Sequence, residues 1–166
     1  HTADPDGKSN AGESYVVFGK AGEWGASMDL SSLDGLNGFR LDGVDADDLS
    51  GTSVSNAGDV NGDGYGDIII GAYQVSAGES YVVFGKENGW SSSLDLSSLN
   101  GSNGFRLDGV DAGDFSGQSV SSAGDVNGDG YDDVIIGAYG ADPDGKSAAG
   151  ESYVVFGKAS GFSSSL

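Results

Sequence analysis

Apolar residues in this chain gather into short dense runs instead of spreading at helical spacing. Tyr15-Val16-Val17-Phe18, Ile68-Ile69-Ile70, Tyr81-Val82-Val83-Phe84 and Val134-Ile135-Ile136 are β-branched or aromatic throughout, with Gly, Asn, Asp and Ser between them. Such runs predict strands, and their unbroken apolarity predicts sheets buried on both faces. Within one period the strands are expected at about 52–58, 67–73, 79–85 and 104–108, with two earlier ones at about 13–19 and 38–42. Only Leu30–Leu33 and Leu96–Leu99 carry the spacing of a short helical turn.

The runs belong to a repeat. Gly12-Glu13-Ser14-Tyr15-Val16-Val17-Phe18-Gly19-Lys20 returns at 78–86 and 150–158, and Gly38-Phe39-Arg40-Leu41-Asp42-Gly43-Val44-Asp45 returns at 104–111. Ser50-Gly51-Thr52-Ser53-Val54-Ser55 returns at 116–121, with Gln118 in place of Thr52. A fixed period of tens of residues signals a solenoid, a propeller or an array. Solenoid rungs are much shorter than this 66-residue period, so the pattern predicts an all-β fold of four-stranded antiparallel β-propeller blades. The small residues of Ser53-Val54-Ser55 suit an innermost strand, where blades converge. Residues 1–48 then supply strands three and four of one blade, 49–114 a complete blade, and 115–166 a blade lacking its fourth strand. Propellers usually close with about 4–8 blades. The expected neighbours are therefore further blades of a longer chain, or other copies of itself docked head to tail into rings or filaments.

A nine-residue acidic loop precedes two of the strands. It reads Asp59-Val60-Asn61-Gly62-Asp63-Gly64-Tyr65-Gly66-Asp67, and again Asp125-Val126-Asn127-Gly128-Asp129-Gly130-Tyr131-Asp132-Asp133. Side-chain oxygens at positions 1, 3, 5 and 9, a carbonyl at position 7 and Gly at position 6 match the needs of Ca²⁺. That ion takes about 6–8 oxygens from a chain that curls around it. The predicted ligands are Asp59, Asn61, Asp63, Tyr65 and Asp67, and Asp125, Asn127, Asp129, Tyr131 and Asp133. An EF-hand would need a Glu at position 12 on an exiting helix, but Ile70 and Ile136 stand there inside strands. The alternative, that these Asp and Asn side chains only form Asx-turns, accounts for one such loop better than for two at identical spacing.

Composition narrows the function. The net charge is −19, from 26 acidic and 7 basic residues, which excludes nucleic acid and anionic membrane as partners. There is no Cys, and the single His is His1, so thiol and His-based catalysis or zinc binding are excluded. No stretch of about 18 apolar residues exists to cross a membrane as a helix.

The blade resembles the FG-GAP repeat, known from the seven-bladed propeller of integrin α subunits and from many secreted bacterial proteins. The resemblance rests on Phe115-Ser116-Gly117 and Leu49-Ser50-Gly51, on the two acidic loops, and on Gly71-Ala72-Tyr73 and Gly137-Ala138-Tyr139. One residue separates Phe from Gly, and Tyr replaces the family's Pro; both departures touch turns and leave the cation ligands intact. The resemblance implies an extracellular or cell-surface location, bound calcium, and ligand recognition on the rim opposite the calcium loops. That rim is expected to carry Asp4-Pro5-Asp6-Gly7-Lys8 and Asp142-Pro143-Asp144-Gly145-Lys146, read as type I turns, beside Asp45, Asp47, Asp48, Asp111 and Asp114. A weak cation or ligand contact there is the alternative to a solvated turn. Trp24, Trp90 and Phe162 recur at one position and are expected to pack, and Arg40 and Arg106 to pair with carboxylates. The function expected is non-catalytic: a calcium-binding module for cell adhesion or for protein or glycan binding. The alternatives are a structural repeat that forms head-to-tail assemblies, and an accessory fragment of a polysaccharide-degrading enzyme.

Overall fold

The computed structural model describes residues 1–74 and 76–166; Val75, in the short Gln74-Val75-Ser76-Ala77 loop, lies outside the described residues. Three sheets follow one another along the chain. The central one is complete, with β3 (Ser53–Gly58), β4 (Asp67–Ala72), β5 (Glu79–Val83) and β7 (Gly104–Asp108) in that order. Before it, β1 (Glu13–Val17) pairs with β2 (Gly38–Asp42), and after it β8 (Ser116–Gly124), β9 (Asp133–Ala138) and β10 (Glu151–Val155) form the third sheet. Identical Glu-Ser-Tyr-Val-Val sequences make β1, β5 and β10, so the registers repeat as well: Tyr81 faces Ile70, and Tyr153 faces Ile136. The architecture is that of partial propeller blades.

The apolar runs divide between two cores because successive strand residues point to opposite faces. Ile69 and Val82 turn toward the third sheet and meet Ala57, Val60, Val120, Val134 and Ile136. Ile70, Tyr81 and Val83 turn toward the first sheet and meet Phe39, Leu41 and Leu96. Each fully buried side chain of this size contributes about 1.5–3 kcal/mol. Burial on both faces therefore holds for the central sheet. It fails for the outer ones, where Tyr15, Val17, Val154 and Phe156 are exposed and no further sheet among the described residues covers them. Where the central and third blades converge, a Cβ on Gly71 would stand 1.8 Å from the carbonyl oxygen of Gly117. Only Gly permits that approach, and Val120 N–H donates to Ser53 Oγ beside it at 3.1 Å.

One strand is not evident in the apolar pattern. β6 (Ser93–Asp95) leaves its own blade and pairs parallel with β2 of the preceding one, with Arg40 N–H donating to Ser92 O at 2.9 Å. Residues 164–166 repeat the arrangement on β7, through Arg106 N–H to Ser164 O and Leu166 N–H to Arg106 O, both 2.9 Å. Aromatic rings reinforce each crossing. Trp90 stacks on Phe39 at 4.1 Å between centroids, and Phe162 on Phe105 at 4.6 Å, so these two pack as expected, whereas Trp24 at the equivalent place is 50% exposed. The expected helical turns are single 3-10 turns, Leu30–Ser32 and Leu96–Ser98, capped by Asp29 and Asp95.

Candidate metal centre

The two acidic loops join β3 to β4 and β8 to β9, and each is wound by its own side chains. Asp59 accepts the N–H groups of Asp63 (3.0 Å) and Gly64 (2.9 Å), Asn61 Oδ1 accepts that of Asp63 (2.9 Å), and Asp63 that of Tyr65 (2.9 Å). The second loop reproduces this: Asp125 holds Asp129 (3.0 Å) and Gly130 (2.9 Å), Asn127 holds Asp129 (2.9 Å), and Asp129 holds Tyr131 (3.0 Å). The reversal requires a left-handed backbone at position 6, met by Gly64 (φ 89°) and Gly130 (φ 93°).

Position 9 closes each loop. Asp67 is buried and accepts N–H from Val60 at 2.8 Å on one oxygen and from Gly85, at the end of β5, at 2.8 Å on the other. Asp133 does the same with Val126 (2.9 Å) and Gly157 (2.9 Å). Burial pushes the Asp67 carboxyl up to about 6 against those two hydrogen bonds, and the Asp63 and Asp59 charges push it the same way.

All ten sequence-predicted site residues thus lie in these two loops, and the Asx-turns weighed as their alternative are present too. Among the described residues, no three carboxylates converge closely enough to form a metal-holding cluster. The donor set nonetheless fits a hard divalent cation. It is oxygen only, each ionised loop carboxylate keeps at least one lone pair beyond its N–H bonds, and among the described residues the buried Asp67 has no positive partner. Asn61 and Asn127 spend their amide groups on Asp63 and Asp129, with Nδ2 donating at 2.9 and 2.8 Å.

Asp132 ties the two loops together, a role that sequence reading passed over. It occupies position 8 of the second loop, where the first has Gly66, and its carboxylate accepts the N–H of Asp59 at 2.8 Å across the blade boundary. The Asp132–Gly66 difference was visible, but its partner is 73 positions away in the chain.

On the opposite rim, Asp47 N–H donates to Ser9 O at 2.8 Å and Asn10 Nδ2 to Asp47 Oδ1 at 2.9 Å, which joins the Asp-Pro-Asp-Gly loop to the acidic turn. Those loops are not type I turns. Asp6 and Asp144 have φ of 52° and 54°, and the following Gly is also left-handed. This winding brings the Asp4 carboxylate to Asn10 N–H (2.7 Å) and that of Asp142 to Ala148 N–H (2.5 Å). Asp48 is more deeply buried than Asp114, the other buried carboxylate of the rim: its Oδ2 accepts Asp45 N–H at 2.7 Å, while Oδ1 has no partner. Desolvation, with Glu79 and Asp45 nearby, raises its carboxyl to about 6. Arg40 and Arg106 pair with carboxylates as expected, Arg40 with Asp42 at 2.5 Å and Arg106 with Asp108 at 2.6 Å.

The FG-GAP repeat matches residues 50–83 and 116–155. Integrin α-6 of Gallus gallus is 31% identical over 128 residues, 76% of this chain and 10% of that protein. Integrin α-PS5 of Drosophila melanogaster is 35% identical over 96 residues, covering 55% and 9%. Integrin α-6 of Homo sapiens is 29% identical over 135 residues, covering 81% and 10%. The chain thus carries FG-GAP repeats and is similar to integrin α chains. It spans about a tenth of the length of these curated relatives.

Proposed function

We propose that this chain is a calcium-binding, non-catalytic β-propeller module of an extracellular or cell-surface protein, serving adhesion or the binding of a protein or glycan. The observation that carries the reading is the pair of oxygen-lined loops wound by matching hydrogen bonds, each closed by a buried carboxylate. Asp59, Asn61, Asp63, Asp67 and the Tyr65 carbonyl would hold one Ca²⁺. Asp125, Asn127, Asp129, Asp133 and the Tyr131 carbonyl would hold the second. The cation would neutralise three carboxylates per loop and supply structural rigidity. In this reading residues 49–114 are the complete blade, and the rim carrying Asp45, Asp47 and the Asp-Pro-Asp-Gly loops faces the ligand. Relatedness to integrin α chains supports the adhesive role, and no helix among the described residues is long and apolar enough to cross a membrane. Calorimetry on chelator-stripped protein tests the reading. Two calcium sites with Kd on the order of 10⁻³ M or tighter are expected, and heat lost on Asp63→Ala with Asp129→Ala. No calcium heat in the unaltered chain overturns it.

A second reading, a structural repeat that docks blade against blade, is favoured by one observation. Among the described residues, the edge of β1 that corresponds to the β4-paired edge of β5 has no strand on it, and Val54 and Tyr15 are exposed alongside. Light scattering at micromolar protein with millimolar calcium tests it: a mass above the monomer supports head-to-tail assembly, and a sharp monomer rules it out for this chain.

A further inference from the structure

The two acidic loops are not independent. Residues of the third sheet's loop grip the central blade's loop at the residues that begin it. Asp132 both accepts the N–H of Asp59 (2.8 Å) and donates its own N–H to Asp59 O (3.1 Å). A Cβ on Gly58 would stand 2.3 Å from the Asp132 carboxylate, and one on Gly62 would stand 2.4 Å from the Tyr131 ring. The contact is therefore close along the whole start of the loop. A second route runs through the backbone: Asp133 accepts Gly157 N–H (2.9 Å), the next N–H, Lys158, donates to Val60 O (3.0 Å), and Val60 N–H donates to Asp67 (2.8 Å). The closing carboxylates of the two loops are thus linked by successive hydrogen bonds.

We infer that the loops load as a coupled pair, with a cation in loop 125–133 raising the affinity of loop 59–67. The inference rests on the calcium reading above and adds its regulation. A cation on the Tyr131 carbonyl and the Asp133 carboxylate fixes the residue between them, Asp132, and with it Asp59, the first ligand of the neighbouring loop. Residues 157 and 158 fix Val60 in the same event. The first loop then loses less freedom when it binds, so the second cation to arrive there binds more tightly. Coupling must be reciprocal, and couplings of this kind typically amount to about 5–150-fold in affinity. Asp132 acts here as a positioning residue and touches no cation itself. The direction of the chain gives the pair a polarity: Gly66, at the equivalent place in loop 59–67, has no side chain to hold a preceding loop.

The test uses the full chain with calcium alone as the probe. Asp129→Ala disables loop 125–133 at an exposed ligand whose hydrogen bonds all lie within its own loop. The remaining site is then expected to bind roughly tenfold more weakly than the first-loop site of the doubly loaded protein. Asp132→Ala keeps every ligand and should bring the two affinities closer to independence. The structural readout is by nuclear magnetic resonance on Asp63→Ala, in which only loop 125–133 can load. The amide signals of Asp59 and Val60 should move as calcium fills that loop, and the Asp59 shift should shrink when Asp132→Ala is added. Still amides at 59 and 60, or an unchanged Kd in Asp129→Ala, overturn the coupling and leave the calcium reading standing. No calcium uptake by the unaltered chain overturns both.

Discussion

Replacing Asp48 by Asn is expected to stabilise the protein at alkaline pH and to do nothing in acid. Asp48 lies almost wholly out of water, one oxygen satisfied by Asp45 N–H and the other without a partner, and Glu79 adds a like charge. Its carboxyl is raised from 3.8 to about 6. A carboxyl that holds its proton more tightly folded than unfolded stabilises the fold fully below pH 4. That contribution is lost as pH rises through about 6. The shift is about two units, and each unit is 1.36 kcal/mol, so ionised Asp48 costs on the order of 3 kcal/mol at pH 8. Asn cannot ionise and keeps an oxygen for Asp45 N–H. The variant should therefore gain up to about 3 kcal/mol at pH 8, a rise of about 6–12 °C in Tm for a chain of this size, and nothing at pH 4. Thermal unfolding by circular dichroism across pH 4–8, in excess chelator, measures the difference, with the exposed Glu87→Gln as control. A gap between Asp48→Asn and the unaltered protein that is constant with pH, or reversed in sign at pH 8, refutes the reasoning.

Withdrawing calcium should lower Tm. Two sites at about 100 times their Kd contribute about 2.7 kcal/mol each by mass action, and superimposable melting curves with and without chelator would remove the structural role for the ion. Trp90→Ala should cost roughly 3 kcal/mol in urea unfolding, because it deletes the stack on Phe39. Trp24→Ala should cost under about 1 kcal/mol, since that ring is 50% exposed, with Lys20 over its face; equal costs would refute the interblade account. Gly71→Ala should destabilise by at least about 1–3 kcal/mol, as its Cβ would enter the Gly117 carbonyl; a neutral result would mean the blades slide apart freely.

Strands were legible where packing is decided by their own residues. Ile68-Ile69-Ile70 and Tyr81-Val82-Val83 are apolar at every position, and the central sheet uses every position. β6 was not legible, because Ser93-Leu94-Asp95 has no strand pattern of its own and is held by hydrogen bonds from another repeat. The acidic loops could be placed residue by residue, since a nine-residue turn closes on itself through local bonds. The contact from Asp132 to Asp59 could not, being a product of how neighbouring blades meet. The Asp-Pro-Asp-Gly loops were misjudged for a related reason: Asn10 and Ala148, outside the four-residue motif, draw the Asp4 and Asp142 carboxylates across and twist the turn left-handed.

The parallel strand that each repeat lends to the blade before it has a consequence for how such a protein can grow. Copying one 66-residue period duplicates a lender and a borrower at once. An inserted copy can accept β6 from the repeat downstream and hand its own equivalent upstream, leaving every internal seam stitched. The unit inherited along the gene and the unit packed in space are therefore staggered, like overlapping roof tiles. A cut or fusion placed at a repeat boundary would separate a blade from the strand and the aromatic ring that cover its last edge.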